Sequence, residues 1–134
     1  VSHDGKIIGT RDGGKSWRIL ARAVPAPLWS VTFTDAERGW VAGDNGTLLH
    51  TKNGGMTWTD QSTALELPAV LNRSDIKFTV VRFVDPSNGW AAGLNGVTVH
   101  TADGGETWKL QRFEADATAS IYAMSFVSPR VGFV

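Results

Sequence analysis

The sequence predicts an all-β protein made of four-stranded antiparallel blades stacked radially, about three blade equivalents of a β-propeller. Three observations carry this. An eight-residue phrase occurs three times, as Thr10-Arg-Asp-Gly-Gly-Lys-Ser-Trp17, Thr51-Lys-Asn-Gly-Gly-Met-Thr-Trp58 and Thr101-Ala-Asp-Gly-Gly-Glu-Thr-Trp108, at intervals of 41 and 50 residues. Between the copies lie short segments of period-two alternation bounded by Gly- and Asn-containing turns, a pattern that strands produce and helices do not. Fifteen Gly and six Trp in 134 residues point to many tight turns closed by large apolar side chains. A unit recurring at this period buries its apolar face mainly against its own neighbours, so the repeat sets the architecture.

The first strand of a unit runs from Trp29 to Phe33, with Trp29, Val31 and Phe33 on one face. Its counterparts present Thr79, Val81 and Phe83, and then Tyr122, Met124 and Phe126. A turn follows at Asp35 to Gly39 or Asp85 to Gly89, where Pro86 fixes φ early in the turn and Gly ends it. The second strand is Trp40 to Gly43, or Trp90 to Gly93. Asp44-Asn45-Gly46 and Leu94-Asn95-Gly96 are hairpin turns of the Asn-Gly kind, whose twist matches that of two paired strands. They lead into the third strand, Thr47 to Thr51 or Val97 to Thr101.

The eight-residue phrase is the next hairpin. Asp12, Asn53 or Asp103 accepts hydrogen bonds from N–H groups of its own turn, Gly14, Gly55 or Gly105 permits positive φ, and Trp17, Trp58 or Trp108 returns to cover the blade. The organisation expected is the end of one blade (1–27), a blade (28–61), an inter-blade insertion (62–77), a blade (78–112) and the start of another (120–134). Placing Phe126 on Phe33 puts Val134 on Val41, while Val1 falls opposite Ala42. The chain therefore reads as a window cut from a longer protein, with strand edges that self-association of the piece would also cover.

Thirteen basic and thirteen acidic side chains leave no net charge, and no Lys/Arg cluster interleaves with aromatics. A nucleic-acid or anionic membrane surface is not indicated. The absence of Cys excludes disulfides and thiolate metal sites. No membrane-inserting segment is apparent.

The triplicated phrase matches the Asp box, Ser/Thr-x-Asp-x-Gly-x-Thr/Ser-Trp, found in sialidases, sortilin-type receptors, xyloglucan-degrading glycosidases and other propellers. The longer string from Gly39 to Trp58, repeated from Gly89 to Trp108, resembles the BNR-type repeat of the photosystem II stability/assembly factor family. That resemblance covers essentially the whole chain. It implies a seven-bladed propeller acting as a non-catalytic docking platform without cofactor, outside the cytoplasmic membrane or in the thylakoid lumen. The implied partner is a protein, such as an assembly intermediate of a membrane complex. It also implies that the Asp-box hairpins lie at the outer rim, on the face away from ligands. The segment Gln61 to Lys77 departs from the family pattern, being longer than its counterpart Leu20 to Leu28.

As a catalytic element the Asp box is a poor candidate. Its triplicate placement suits a structural staple, and Asn53 could serve neither as acid nor as base. His50 and His100 occupy equivalent positions, where the first copy has Gly9, but a zinc site needs three or four ligands. They read as hydrogen-bonded strand residues, and His3, in the turn register of Asp44, has no evident partner. Arg82 sits mid-strand where the other copies carry Thr32 and Ser125. It reads either as an inter-blade ion pair, with Asp75 or Glu114, or as a group that recognises a carboxylate or backbone carbonyls of a docking peptide.

Loops on a rigid scaffold are where binding concentrates. The face formed by Arg22 to Pro27, Asp44 to Gly46, Gln61 to Lys77, Leu94 to Gly96 and Arg112 to Ala119 is the expected docking face. Arg73, Asp75, Lys77, Asp44, Asn45 and Asn95, together with Arg82, are the candidate partner-binding residues, and Glu66 lies on the same long segment. The parts for glycoside hydrolysis are thin, with a single Tyr at Tyr122 and with Glu66 and Glu114 on connections. The alternative is a piece of a secreted carbohydrate-active propeller enzyme whose catalytic residues lie outside these residues.

Overall fold

A computed structural model describes residues 1–111 and 119–134. The described residues form thirteen short strands and three single turns of 3-10 helix. A hairpin of β1 (Lys6–Gly9) and β2 (Arg18–Arg22) comes first. It is followed by a sheet of β3 (Leu28–Phe33), β4 (Gly39–Gly43), β5 (Leu48–Thr51) and β6 (Thr59–Asp60), paired antiparallel in chain order.

Next along the chain come β7 (Leu65–Glu66), β8 (Phe78–Phe83), β9 (Gly89–Gly93), β10 (Thr98–Thr101) and β11 (Trp108–Gln111). These form one sheet of order β7-β11-β10-β9-β8, and a final hairpin joins β12 (Ser125–Ser128) to β13 (Val131–Phe133). The alternation of the sequence and its Asn-Gly turns thus yield blades of the expected antiparallel topology. Asn45 and Asn95 adopt φ of 58° and 56°, the left-handed geometry that such turns require.

One strand was not expected. The start of the long segment after Gln61 adds β7 in parallel to the outer edge of the following blade, pairing Leu65 with Trp108 and Glu66 with Lys109. Ala64, Leu65 and Leu67 pack there against the core, while Glu66 faces out. A two-residue strand carries no alternation to read, so only the tertiary contact reveals it.

The core lies between blades, as a repeat architecture demands. Trp40, Ala42 and Leu48 of one sheet meet Ile76, Phe78, Val81, Ala91, Val99 and Trp108 of the next. Two further clusters repeat the arrangement, Ile7 with Leu28, Val41 and Leu49, and Val80, Trp90 and Ala92 with Ile121 and Met124. At the central seam the Phe83 ring stacks on Trp40 with centroids 3.6 Å apart, and Trp40 stacks in turn on His50 at 4.5 Å. Trp90 between Phe126 and His100 reproduces that column one blade on.

The three phrase-closing tryptophans differ. Trp108 is fully buried, Trp58 is half-buried, and Trp17 is 63% exposed, against the expectation that all three cover a blade. Trp58 and Trp108 each meet edge-on the Phe of their blade's first strand, Phe33 and Phe83. Among the described residues the β1–β2 hairpin pairs with no further strand, and no Phe stands beside Trp17 as Phe33 and Phe83 stand beside the other two.

Candidate docking cleft on the turn face

Each first strand begins beside the turn between the second and third strands, because Lys77 bridges Asp44 of the preceding blade and its carbonyl accepts from the Leu94 amide at 3.1 Å. Trp29, Thr79 and Tyr122, the equivalent first-strand positions, are thereby brought to one end of the molecule. With Asp44, Lys77 and Leu94 they line a cleft of ≈ 290 Å³. Trp29 is 49% exposed and Tyr122 71%, so two aromatic rings stand unburied in its walls.

The polar groups of the cleft are held in place. The indole N–H of Trp29 donates to Asp44 Oδ1 at 2.7 Å, and Lys77 Nζ lies 3.7 Å from Asp44 Oδ2. His3 meets Trp29 edge-on at 5.8 Å. The Thr79 hydroxyl bonds the carbonyls of Ala92 and Ile121, tying the strand to both neighbours. Lys77 is half exposed, so this ion pair orients the carboxylate more than it stabilises the fold.

Of the residues singled out from sequence, Asp44 and Lys77 enter the cleft. Asn45 and Asn95 stand exposed at the turn tips beside it. Arg73 lies over the Asp44–Gly46 turn, where a Cβ on Gly46 would come 2.5 Å from Arg73 Cγ. Asp75 is exposed and bonds Asn72 and Ser74 on its own 3-10 turn.

Arg82 is not part of this group. It sits one residue from the Phe83–Gly89 turn, at the opposite end of β8. It lines a separate groove with Phe83, Val84, Ser125 and Pro129. Its Nη1 donates to the Val81 carbonyl at 3.1 Å, and it forms no ion pair among the described residues, so the pairing with Asp75 is not made. Glu114, the other partner considered, and the rest of residues 112–118 of the expected docking face lie outside the described residues.

Sequence reasoning missed Trp29 and Tyr122 as site residues. They read as members of one face of an alternating strand, and the usable signal was their place near the turn-side end of each unit's first strand.

The second and third Asp boxes lie at the far end, each next to the turn joining its blade's first two strands. Gly54 donates to Glu37 and Gly104 to Ser87, both at 2.9 Å. In the third copy Asp103 Oδ1 accepts from the Thr107 amide at 2.9 Å and the Thr101 hydroxyl at 2.7 Å, while Oδ2 accepts from the Thr107 hydroxyl at 2.7 Å. Asn53 keeps all three contacts by reversing the last, its Nδ2 donating to Thr57 Oγ1 at 2.8 Å.

Partial burial pushes Asp103 up, yet the hydrogen bonds from Thr107 and Thr101 outweigh it and hold the carboxyl below its ordinary value. Asp12 is drawn down to about 2, chiefly by Ser16. Stability from these carboxylates is therefore complete above the ordinary carboxylate value and fades as pH falls through the depressed one. Asp103→Asn is expected to shift stability by less than about 0.5 kcal/mol at neutral pH while flattening the acid limb of a melting-temperature profile. A large loss at neutral pH would refute the interchange of acid and amide.

His50 stacks on Trp40 and His100 lies tilted over Trp90, and burial pushes both imidazoles below their ordinary value. His50 Nδ1 lies 3.4 Å from Gln61 Nε2. No group of three His, Cys, Asp or Glu side chains suited to a metal ion occurs among the described residues.

The family described as photosynthesis system II assembly factor YCF48 matches residues 1–70 and again 69–134. The photosystem II assembly protein Ycf48 of Thermosynechococcus vestitus is 34% identical over 65 residues, which are 48% of this chain and 17% of that protein. The chain thus spans about one sixth of the length of that curated relative.

A solved structure of YCF48 bound to D1 peptide superposes with a TM-score of 0.61 at 30% identity, over 75% of this chain and 31% of the other. YCF48 from Cyanidioschyzon merolae gives 0.74 at 21% identity, over 98% and 42%. An ancestral GH74 enzyme gives 0.72 at 16% identity, over 93% and 18%, a likeness of propeller fold.

Proposed function

The chain belongs to the photosynthesis system II assembly factor YCF48 family, and on that premise we propose that it is a non-catalytic docking scaffold for a photosystem II subunit during assembly. Its place is extracytoplasmic, and the turn-face cleft receives an extended segment of the partner. The observation that carries this reading is the pair of unburied rings, Trp29 and Tyr122, standing around the fixed Asp44–Lys77 pair. Rigid aromatic side chains supply contact area at little entropic cost and dominate many interfaces. The Asp44 carboxylate and the Lys77 ammonium offer an acceptor and a donor to a peptide backbone. That a similar YCF48 was solved with a D1 peptide supports a peptide as occupant.

The test is titration of the chain with labelled D1 segments, followed by fluorescence anisotropy, with melting temperature recorded for every variant. Trp29→Ala and Tyr122→Ala are each expected to weaken binding about tenfold with little change in melting temperature. Unchanged binding in both variants, with loss in Arg82→Ala, would move docking to the groove at the opposite end.

A further inference from the structure

The sequence holds four Asn-Gly dipeptides, at Asn45, Asn53, Asn88 and Asn95, and the fold places them in two different situations. In such a dipeptide the glycine nitrogen attacks the Asn side-chain carbonyl carbon and forms a C–N bond, giving a succinimide. The departing amide nitrogen takes the proton from that nitrogen and leaves as ammonia. Water then opens the ring to aspartate or isoaspartate. Reaction requires a free Asn side chain and a glycine N–H released from its own hydrogen bond.

Asn53 is held at both ends of its amide by Thr51 and Thr57, and the Gly54 N–H is bonded to Glu37. The Asn88 amide donates to Asp85, and Gly89 is paired in the β-ladder with Phe83 and Thr101. Asn45 and Asn95 differ. Both are exposed at a turn tip, and neither side chain makes a hydrogen bond within the described residues. One contact restrains each nucleophile, Gly46 N to the Ile76 carbonyl at 2.9 Å and Gly96 N to the Ala119 carbonyl at 2.7 Å. Those acceptors belong to the segments that join one blade to the next.

We infer that Asn45 and Asn95 are the deamidation sites of the folded chain, each gated by the opening of one backbone contact, from Gly46 to Ile76 or from Gly96 to Ala119. The exchange of one amide for a carboxylate puts a new negative charge next to Asp44 or Leu94, so ageing alters the charge of the turn face. Local opening that breaks one contact is far more frequent than opening that must break several.

Folded chain is incubated in mildly alkaline buffer, digested, and mapped by mass spectrometry with isoaspartate detection, in parallel with chain unfolded in urea. Conversion at Asn45 and Asn95 is expected to run at least about tenfold faster than at Asn53 and Asn88 in the folded chain, with the four rates converging in urea. Conversion of Asn53 or Asn88 as fast as the turn sites in the folded chain would overturn the inference. So would persistence of the same order in urea, since sequence rather than fold would then set it.

Discussion

Gly93→Ala is expected to destabilise the protein by about 3 kcal/mol or more, enough to leave little folded chain. The backbone here is extended, with φ of −169°, so any residue could adopt the conformation. What excludes a side chain is space. A Cβ would lie 1.7 Å from the Lys77 carbonyl oxygen, which is fixed by accepting the Leu94 amide. Backbone cannot move aside there without parting β8 from β9 and dismantling the cleft at Lys77. Gly43 meets the Pro27 carbonyl in the same way, a Cβ coming within 2.3 Å.

Gly13 provides the contrast, since its φ is +72° and nothing lies within 4 Å. Gly13→Ala therefore carries left-handed strain alone, about 1–2 kcal/mol. Equal urea-denaturation losses for Gly93→Ala and Gly13→Ala would show that close approach of backbone is not the reason for Gly93.

Trp108→Ala is expected to cost about 3–5 kcal/mol. Its side chain is fully buried, meets Phe83 edge-on at 5.8 Å, and belongs to the cluster that joins the two complete sheets. Removal leaves a cavity against Phe83, which itself stacks on Trp40, so the loss falls on the seam between blades. The half-buried Trp58 should cost less, and Trp17→Ala should stay within about 0.5 kcal/mol. A graded series by equilibrium unfolding checks this, and equal costs for the three would deny that the seam decides their worth.

That grading shows how far sequence carries. Hairpin turns, strand faces and Asp boxes are local, since an Asn-Gly turn or a Thr-x-Asp-x-Gly-x-Thr phrase closes hydrogen bonds within a few residues of itself, and these were legible. The burial of Trp17, Trp58 and Trp108 was not, because copies of one motif meet different neighbours. The two-residue β7 offered no periodicity, and its Leu65 is fixed by Trp108, more than forty residues away.

The site was legible in part for the same reason. Asp44, Asn45 and Asn95 follow from turn position, and Lys77 from its place at the end of the long connecting segment. Placing Trp29 and Tyr122 around one cleft requires knowing which blades sit side by side, and the separate groove that Arg82 lines needs the same knowledge.

The Gly104 carbonyl, in the third Asp-box turn, accepts from both the Trp40 indole at 3.1 Å and the Gln61 side chain at 3.2 Å, one in the preceding sheet and one just after its last strand. The tip of one blade is thus bonded to the body of its neighbour, and neither can open without releasing the other. Amide hydrogen exchange in the 101–108 hairpin should then report on the sheet before it, and unfolding should travel along the chain as coupled neighbours rather than as separate blades.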